Sequence, residues 1–175
     1  GFDVFSMADK KVVQRIYPPN SKKVGFAEGL FIPEKKVFLV SQMTTANVYE
    51  YSYPGFQYIR TIPTGGVWSK FIEYSKEKNL LCVSNWCSND ISLIDYDTGK
   101  VQRIIKTAAA PRGLYFTEKS KYIIALCYDG GKIQKFEVDT GKKVAEIAIT
   151  NSAMRHIVVN KEETKAYISE MYYNK

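Results

Sequence analysis

The 175-residue chain is 45% hydrophobic and 14% aromatic, which is enough apolar side chain to bury the core of one compact unit. Its formal net charge of +7, from 25 Lys and Arg against 18 Asp and Glu, favours acidic ligands through long-range attraction. The longest apolar runs have about the length of a strand, so the sequence predicts no transmembrane segment.

The beginning of the chain predicts two strands. The segment Phe2–Ile16 matches a later one, Ile91–Ile104, in which two apolar runs flank a polar turn. The first five residues lack the basic and apolar regions of a secretory signal, although a mature or truncated chain would look the same. These two strands are therefore expected to be the second half of a four-stranded unit.

Strand-like segments then recur at a nearly constant spacing. The first strands of successive units open 41, 43 and 43 residues apart, at Gly29, Lys70, Gly113 and His156. The Asp-Thr-Gly-Lys sequence at 97–100 returns at 139–142, which is 42 residues later. A period of about 40–50 residues carried by strands is typical of β-propeller blades.

The sequence pattern of each complete unit predicts four antiparallel strands. A charged turn separates the first two strands, and the third ends at a glycine turn, where the backbone needs a positive φ. The fourth strand alternates polar and apolar residues, as an outer strand does. The predicted fold class is all-β, a β-propeller of four-stranded antiparallel blades of about 42 residues, with about four blades' worth of strands in the chain. The expected units of this single domain, or part of a larger propeller, are 1–24, 25–66, 67–109, 110–152 and 153–175.

Sixteen predicted strands allow two arrangements of the blades. The first two strands could pair with the last two and lock a closed ring of four blades. Alternatively, the strands belong to a larger ring. We favour the larger ring, because repeat arrays need capped ends and this sequence stops inside a loop.

One part of the sequence resembles the YVTN-repeat propeller family. The segments that carry the resemblance are Leu81–Asn85, Ser88–Asp95, Asp97–Lys100 and Ala109–Leu114. The resemblance implies a propeller, usually of seven blades, in exported or surface-associated bacterial proteins. It thus implies a periplasmic or cell-surface location, but no single activity, since propellers include enzymes, ligand-binding domains and adaptors.

Loops at one end of the predicted blades gather aromatic and basic residues. Such side chains dominate binding hot spots, because rings give a large contact area and guanidinium groups pair with carboxylates or phosphates. The candidate ligand- or partner-binding residues are Trp68, Lys70, Trp86, Asn89, Arg112, Tyr128, Arg155 and His156. Tyr172 and Tyr173 belong to the same end. A purely structural interpretation stays open, in which the tryptophans pack between sheets and the arginines pair with Asp129 or Glu170.

The basic residues do not favour nucleic acid as the partner. Lysine pairs at 10–11, 22–23, 35–36 and 142–143 flank strands, where they keep turns solvated and sheet edges unpaired. No continuous segment interleaves a basic stripe with aromatic residues.

Neither a metal site nor a cofactor is predicted. The three cysteines, Cys82, Cys87 and Cys127, are too few for a disulfide framework and are expected to be buried free thiols. His156 is the one histidine, and the spacing supplies neither a partner nor a nucleophile for it. The aspartates of the Asp-Thr-Gly-Lys turns lack the further carboxylates that calcium requires.

The sequence therefore favours a non-enzymatic module that presents an aromatic and arginine-rich loop face to a protein or surface ligand with acidic groups. The alternative is a lactonase-like hydrolase, which the family resemblance suggests and whose catalytic groups would lie partly in other blades. A third hypothesis is a structural role within a larger surface protein.

Overall fold

The computed structural model describes residues 1–19 and 24–171 and is all-β. The strands are β1 (Phe2–Ser6), β2 (Lys11–Ile16), β3 (Phe26–Ile32), β4 (Val37–Gln42), β5 (Asn47–Ser52), β6 (Tyr58–Pro63), β7 (Ser69–Ser75), β8 (Leu80–Asn85), β9 (Asp90–Asp95), β10 (Val101–Lys106), β11 (Pro111–Thr117), β12 (Tyr122–Cys127), β13 (Lys132–Glu137), β14 (Lys143–Ala148), β15 (Met154–Val159) and β16 (Ala166–Glu170). Two 3-10 turns, Pro33–Lys35 and Met43–Thr45, flank β4. The lysine pair Lys22–Lys23 and the loop residues Tyr172 and Tyr173 lie outside the described residues.

The strands form antiparallel sheets in chain order. Three sheets have four strands each, namely β3–β6, β7–β10 and β11–β14, and two have two strands, β1–β2 and β15–β16. The prediction of sixteen strands in antiparallel sheets is confirmed. The Asp-Thr-Gly-Lys turns also behave as predicted, because Gly99 and Gly141 have φ values of +66° and +74°.

Apolar cores lie between successive sheets. Leu39, Ile62 and Ile72 belong to the core between the sheets β3–β6 and β7–β10. Ile91 and Phe136 belong to the next core, between β7–β10 and β11–β14. All six residues of β8 are buried, because a sheet covers each of its faces. This two-sided burial explains the uninterrupted apolar run Leu80–Val83 at the start of β8.

The first strands of the units lie side by side. β7 packs against both β3 and β11, and β15 packs against β11. The two-stranded sheets β1–β2 and β15–β16 are separate, and no pairing between described strands joins them. The shared blade that would lock a closed four-bladed ring is therefore not formed by the described part of the chain.

Two sheet junctions carry the same polar contact at the outer strands. Arg60, the third residue of β6, donates to the carbonyl oxygens of Tyr96 and Asp97 in the next sheet. Arg103, the third residue of β10, donates to the Asp139 carbonyl oxygen at 2.9 Å. We call these the outer-rim contacts.

Lysines reinforce the outer-rim contacts at the same two turns. Lys35 Nζ lies 3.6 Å from an Asp97 carboxylate oxygen, and Lys78 Nζ lies 2.6 Å from one of Asp139. In the third four-stranded sheet, Ser120 and Ala145 occupy the positions of this lysine and arginine. The lysine and arginine of this contact are therefore present in the two sheets that another four-stranded sheet follows, and absent from the third, within the described residues.

Candidate functional site

Three cationic side chains occupy equivalent positions on adjacent first strands. Lys70, Arg112 and Arg155 are the second residues of β7, β11 and β15, respectively. In all three strands the pairing register shifts at this point, between the first residue and the fourth. Such β-bulges re-aim side chains and are frequent beside functional sites. The fold thus brings one cation from each of three sheets to the same end of the molecule.

An aromatic pair lies against these cations. Lys70 Nζ is 3.2 Å from the centroid of the Trp86 ring, and Arg112 Cζ is 6.0 Å from the same centroid. The centroids of the Tyr128 and Trp86 rings are 4.8 Å apart, and the Tyr128 hydroxyl donates to Met171 Sδ at 3.0 Å. Attraction between a cation and a ring face stabilises such contacts by about 0.5–2 kcal/mol. Lys70, Trp86, Arg112, Tyr128 and Arg155 are called the cation–aromatic cluster below.

No carboxylate of the described chain forms a direct ion pair with the cluster, although Asp129 near Lys70 and Glu28 near Arg112 act against the lowering of their pKa values. None of the ion pairs among the described residues includes Lys70, Arg112 or Arg155. Burial, together with the positive charge of Arg112, lowers the pKa of Lys70 to about 8. Burial and the nearby charge of Arg155 also lower the pKa of Arg112. Arg112 Nε is buried and has no hydrogen-bond partner among the described residues. A bound anion would relieve both the repulsion and the unsatisfied donor.

A rigid polar network holds the turn that carries Trp86. Asn85 accepts a hydrogen bond from Ser69 Oγ at 2.8 Å and donates to Asp90 at 2.9 Å and to Ser92 at 2.8 Å. All four of these residues are buried. A β-carbon at Gly66 would lie 2.1 Å from Asn85 Cγ, so the loop before β7 can approach this network only with glycine at that position. The network fixes Trp86 relative to Lys70.

His156 lies beside the cluster, in an ion pair with a residue of another sheet. Its Nε2 is 3.7 Å from a Glu28 carboxylate oxygen, and its ring centroid is 5.8 Å from that of Phe71. Glu28 is on β3 and His156 is on β15. The contact therefore links the first strand of the sheet β3–β6 with the first strand of the sheet β15–β16. A cavity of about 400 Å³ adjoins the pair and is lined by Arg155, His156, Ser169, Glu170 and Met171.

Two of the predicted site residues shape the loops instead of joining the cluster. Asn89 has φ +53°, and its side-chain oxygen accepts a hydrogen bond from the Ala110 amide at 2.9 Å. Trp68 has φ +59°, and its carbonyl oxygen accepts from the Trp86 amide at 2.9 Å. The Trp68 side chain is 44% exposed, and no ring contact among the described residues includes it. The other six predicted residues lie in the cluster or, for His156, next to it.

Two carboxylates of the first strands escaped the sequence analysis. Glu28 is the partner of His156, and Glu73 lies further along β7. Burial raises the pKa of Glu73 to about 7. Aligning the first strands by residue position places Glu28 at the same position as His156, because each is the third residue of its strand.

The cysteine prediction is partly wrong. All three thiols are free, and Cys82 and Cys127 are buried as expected, but Cys87 is exposed. Cys87 lies in the tight turn after Trp86, where backbone contacts to Val67 leave the side chain in solvent.

Within residues 1–19 and 24–171, no three His, Cys, Asp or Glu side chains are grouped in a way that could hold a metal ion. In the same ranges, no helix has the length and apolar character that crossing a membrane requires.

The strands define an all-β, propeller-like protein, in which basic and aromatic side chains gather at one end of adjacent sheets. No family model matches the chain. Antigen Lp49 of Leptospira interrogans serogroup Icterohaemorrhagiae serovar copenhageni (strain Fiocruz L1-130) is 32% identical over 184 residues, an alignment that covers 100% of this chain and 40% of that protein. This chain therefore spans well under half the length of its curated relative.

Among solved structures, hydrazine synthase of Kuenenia stuttgartiensis is similar, with a TM-score of 0.76 and 14% sequence identity. The similarity covers 87% of this chain and 45% of that one. At this level of identity the likeness shows the fold alone.

Proposed function

We propose that the chain belongs to a β-propeller of the YVTN-repeat type and acts as a non-enzymatic binding module for anionic ligands. The observation that carries the proposal is the set of three cations at equivalent strand positions, with no direct ion pair to a carboxylate in the described residues. Lys70 and Arg112 lie against the Trp86 ring, and Arg155 acts electrostatically on both. Guanidinium groups bind carboxylates in a bidentate manner, and an adjacent indole adds contact area. The ligand is a protein or surface molecule whose acidic groups enter this cluster.

The repeat pattern supports the proposed blades at residues 1–24, 25–66, 67–109, 110–152 and 153–175. Their first strands begin at Phe26, Ser69, Pro111 and Met154, which are 43, 42 and 43 residues apart. The chain covers 40% of its curated relative, and a ring larger than four blades is consistent with that share. The relative is an antigen by name, which is compatible with a location outside the cytoplasm and with a binding role.

No observation in the described residues favours the lactonase-like alternative. Within the described residues no three His, Cys, Asp or Glu side chains are grouped in a way that could hold a metal ion, and this alternative places part of its catalytic groups in other blades.

Binding to poly-L-glutamate tests the proposal directly. The unmodified chain is expected to bind immobilised poly-L-glutamate, and the double variant Arg112→Gln/Arg155→Gln to bind at least about tenfold more weakly. The matched control is Lys142→Gln/Lys161→Gln, which removes the same charge from exposed positions and is expected to bind within about twofold of the unmodified chain. Equal losses in both variants would mean that only net charge matters and would refute the proposed site. Far-ultraviolet circular dichroism checks that each variant is folded.

A further inference from the structure

The Lys70 amine has surroundings unlike those of the paired lysines. Lys78, Lys106 and Lys132 each place Nζ within 2.6–2.8 Å of a carboxylate oxygen. Lys70 Nζ instead lies on the Trp86 ring, and no hydrogen bond or ion pair in the described chain holds it. It is therefore a half-buried amine with no carboxylate in direct contact among the described residues, and the attraction of Cys87 and Asp129 only partly offsets its burial.

The unprotonated form of this amine is populated near neutral pH. Burial and the adjacent guanidinium of Arg112 bring the pKa of Lys70 to about 8. At pH 7 about one tenth of the Lys70 amine is then neutral, against about 1 in 3,000 for a lysine of ordinary pKa. Desolvation and a neighbouring cation are the two means by which proteins turn lysine into a nucleophile.

An anion-binding group lies next to the amine. Arg112 lies against the same Trp86 ring as Lys70, and its buried Nε has no hydrogen-bond partner in residues 1–19 and 24–171. Arg155, on the adjacent strand β15, lines the cavity of about 400 Å³. A β-carbon at Gly113 would lie 2.9 Å from the Arg155 carbonyl oxygen, so the glycine permits this close approach of the two strands. A small molecule could therefore place an anionic group on the arginines and a second group at Lys70.

We propose that Lys70 forms an imine with an aldehyde or ketone that carries a carboxylate or phosphate, with Arg112 and Arg155 holding the anionic group. This proposal rests on the anion site of the proposed function and adds a covalent step to it. The Nζ lone pair attacks the carbonyl carbon to give a carbinolamine. The carbonyl oxygen then leaves as water with the two hydrogens of the neutral amine, and a C=N bond replaces the C=O bond. No oxidant or reductant takes part, and water reverses the reaction.

Reductive trapping with glyoxylate tests this step. Glyoxylate and cyanoborohydride at pH 7 convert an imine-forming lysine into a stable carboxymethyl derivative, which peptide mass spectrometry locates. Lys70 is expected to be labelled at least about tenfold faster than the exposed Lys142 and Lys161 in the same sample. Labelling of Lys70 at or below the rate of these two lysines would overturn the proposal.

Formaldehyde separates amine reactivity from recognition of the anion. Because formaldehyde is neutral, the preference for Lys70 is expected to be smaller with it than with glyoxylate. Arg112→Gln is expected to remove the excess preference for glyoxylate. Equal preference for the two aldehydes would refute the role of the arginines in holding the reactant.

Two separate measurements on the unmodified chain distinguish failure of the imine from failure of the anion site. Lys70→Arg cannot form an imine, so the label on the peptide that contains residue 70 is expected to disappear in this variant. If the unmodified chain binds poly-L-glutamate but Lys70 is not selectively labelled, the imine is refuted and the proposed function stands. If neither occurs, both are refuted.

Discussion

Two sets of repeated cations in this chain occupy opposite environments. At the outer rim, Arg60 and Arg103 donate to carbonyl oxygens of the following sheet. At the other end of the first strands, Lys70, Arg112 and Arg155 repeat just as regularly, yet no ion pair in the described residues neutralises them. Repetition of a charged residue therefore does not by itself separate a structural role from a binding role. The presence or absence of a partner within the described chain separates the two roles.

The largest expected effect is on the outer rim. Arg60 pairs with Glu50, which is 4% exposed and also accepts a hydrogen bond from Tyr96. Arg60→Ala leaves this buried carboxylate without its cation and is expected to lower the free energy of unfolding by about 3 kcal/mol, measured by urea denaturation. Arg103→Ala, which loses only a hydrogen bond to a carbonyl, should cost about 1 kcal/mol. Equal losses would show that Glu50 does not depend on Arg60.

Replacing an unpaired carboxyl on β7 is expected to raise the free energy of unfolding, whereas Arg60→Ala is expected to lower it. No hydrogen bond or ion pair holds Glu73 in the described chain, and burial raises its pKa to about 7. A raised folded-state pKa means that stability is full below the unfolded pKa near 4.5 and is lost as pH rises through about 7. Glu73→Gln should therefore gain about 2 kcal/mol at pH 8 and nothing at pH 4. A gain that does not vary with pH would contradict this assignment.

A smaller gain is expected from removing the unpaired lysine. The folded-state pKa of Lys70, about 8, lies below the ordinary value of 10.5, so the charged form costs stability below pH 8 and the cost disappears as pH rises to about 10.5. Lys70→Met should raise the free energy of unfolding by about 1 kcal/mol at pH 7, a figure reduced for the exposed part of the side chain. The matched variant Lys78→Met, which breaks an ion pair, should lose up to about 0.5 kcal/mol. A loss in both variants would mean that Lys70 is stabilising and would weaken the case for a binding role.

Strand order and turn positions could be predicted from the sequence because they depend on local pattern. The spacing of the repeats and the Asp-Thr-Gly-Lys turns predicted sixteen strands and the positive φ of Gly99 and Gly141. The residue types of the cluster were also predicted, but its three cations lie on the first strands of the sheets and not in the loops expected from the sequence.

The contacts of the site depended on tertiary structure and could not be predicted. The bulges that re-aim Lys70 and Arg112 arise from strand pairing, and a one-residue shift in register would turn these side chains to the other face. Pairing of His156 with Glu28 joins residues 128 positions apart in the chain. The structural role of Asn89 depends on a hydrogen bond to the next unit, which no local pattern reveals.

The cation–aromatic cluster is proposed as an anion site, in which a bound ligand supplies the direct ion pairs that the described chain lacks. The most direct test is an NMR titration of the Lys70 ¹³Cε resonance with and without succinate. The pKa of Lys70 is expected at about 8 in the free protein, and succinate should raise it, because a bound anion stabilises the ammonium form. A pKa near 10.5 in the free protein, or one that succinate leaves unchanged, would contradict the claim.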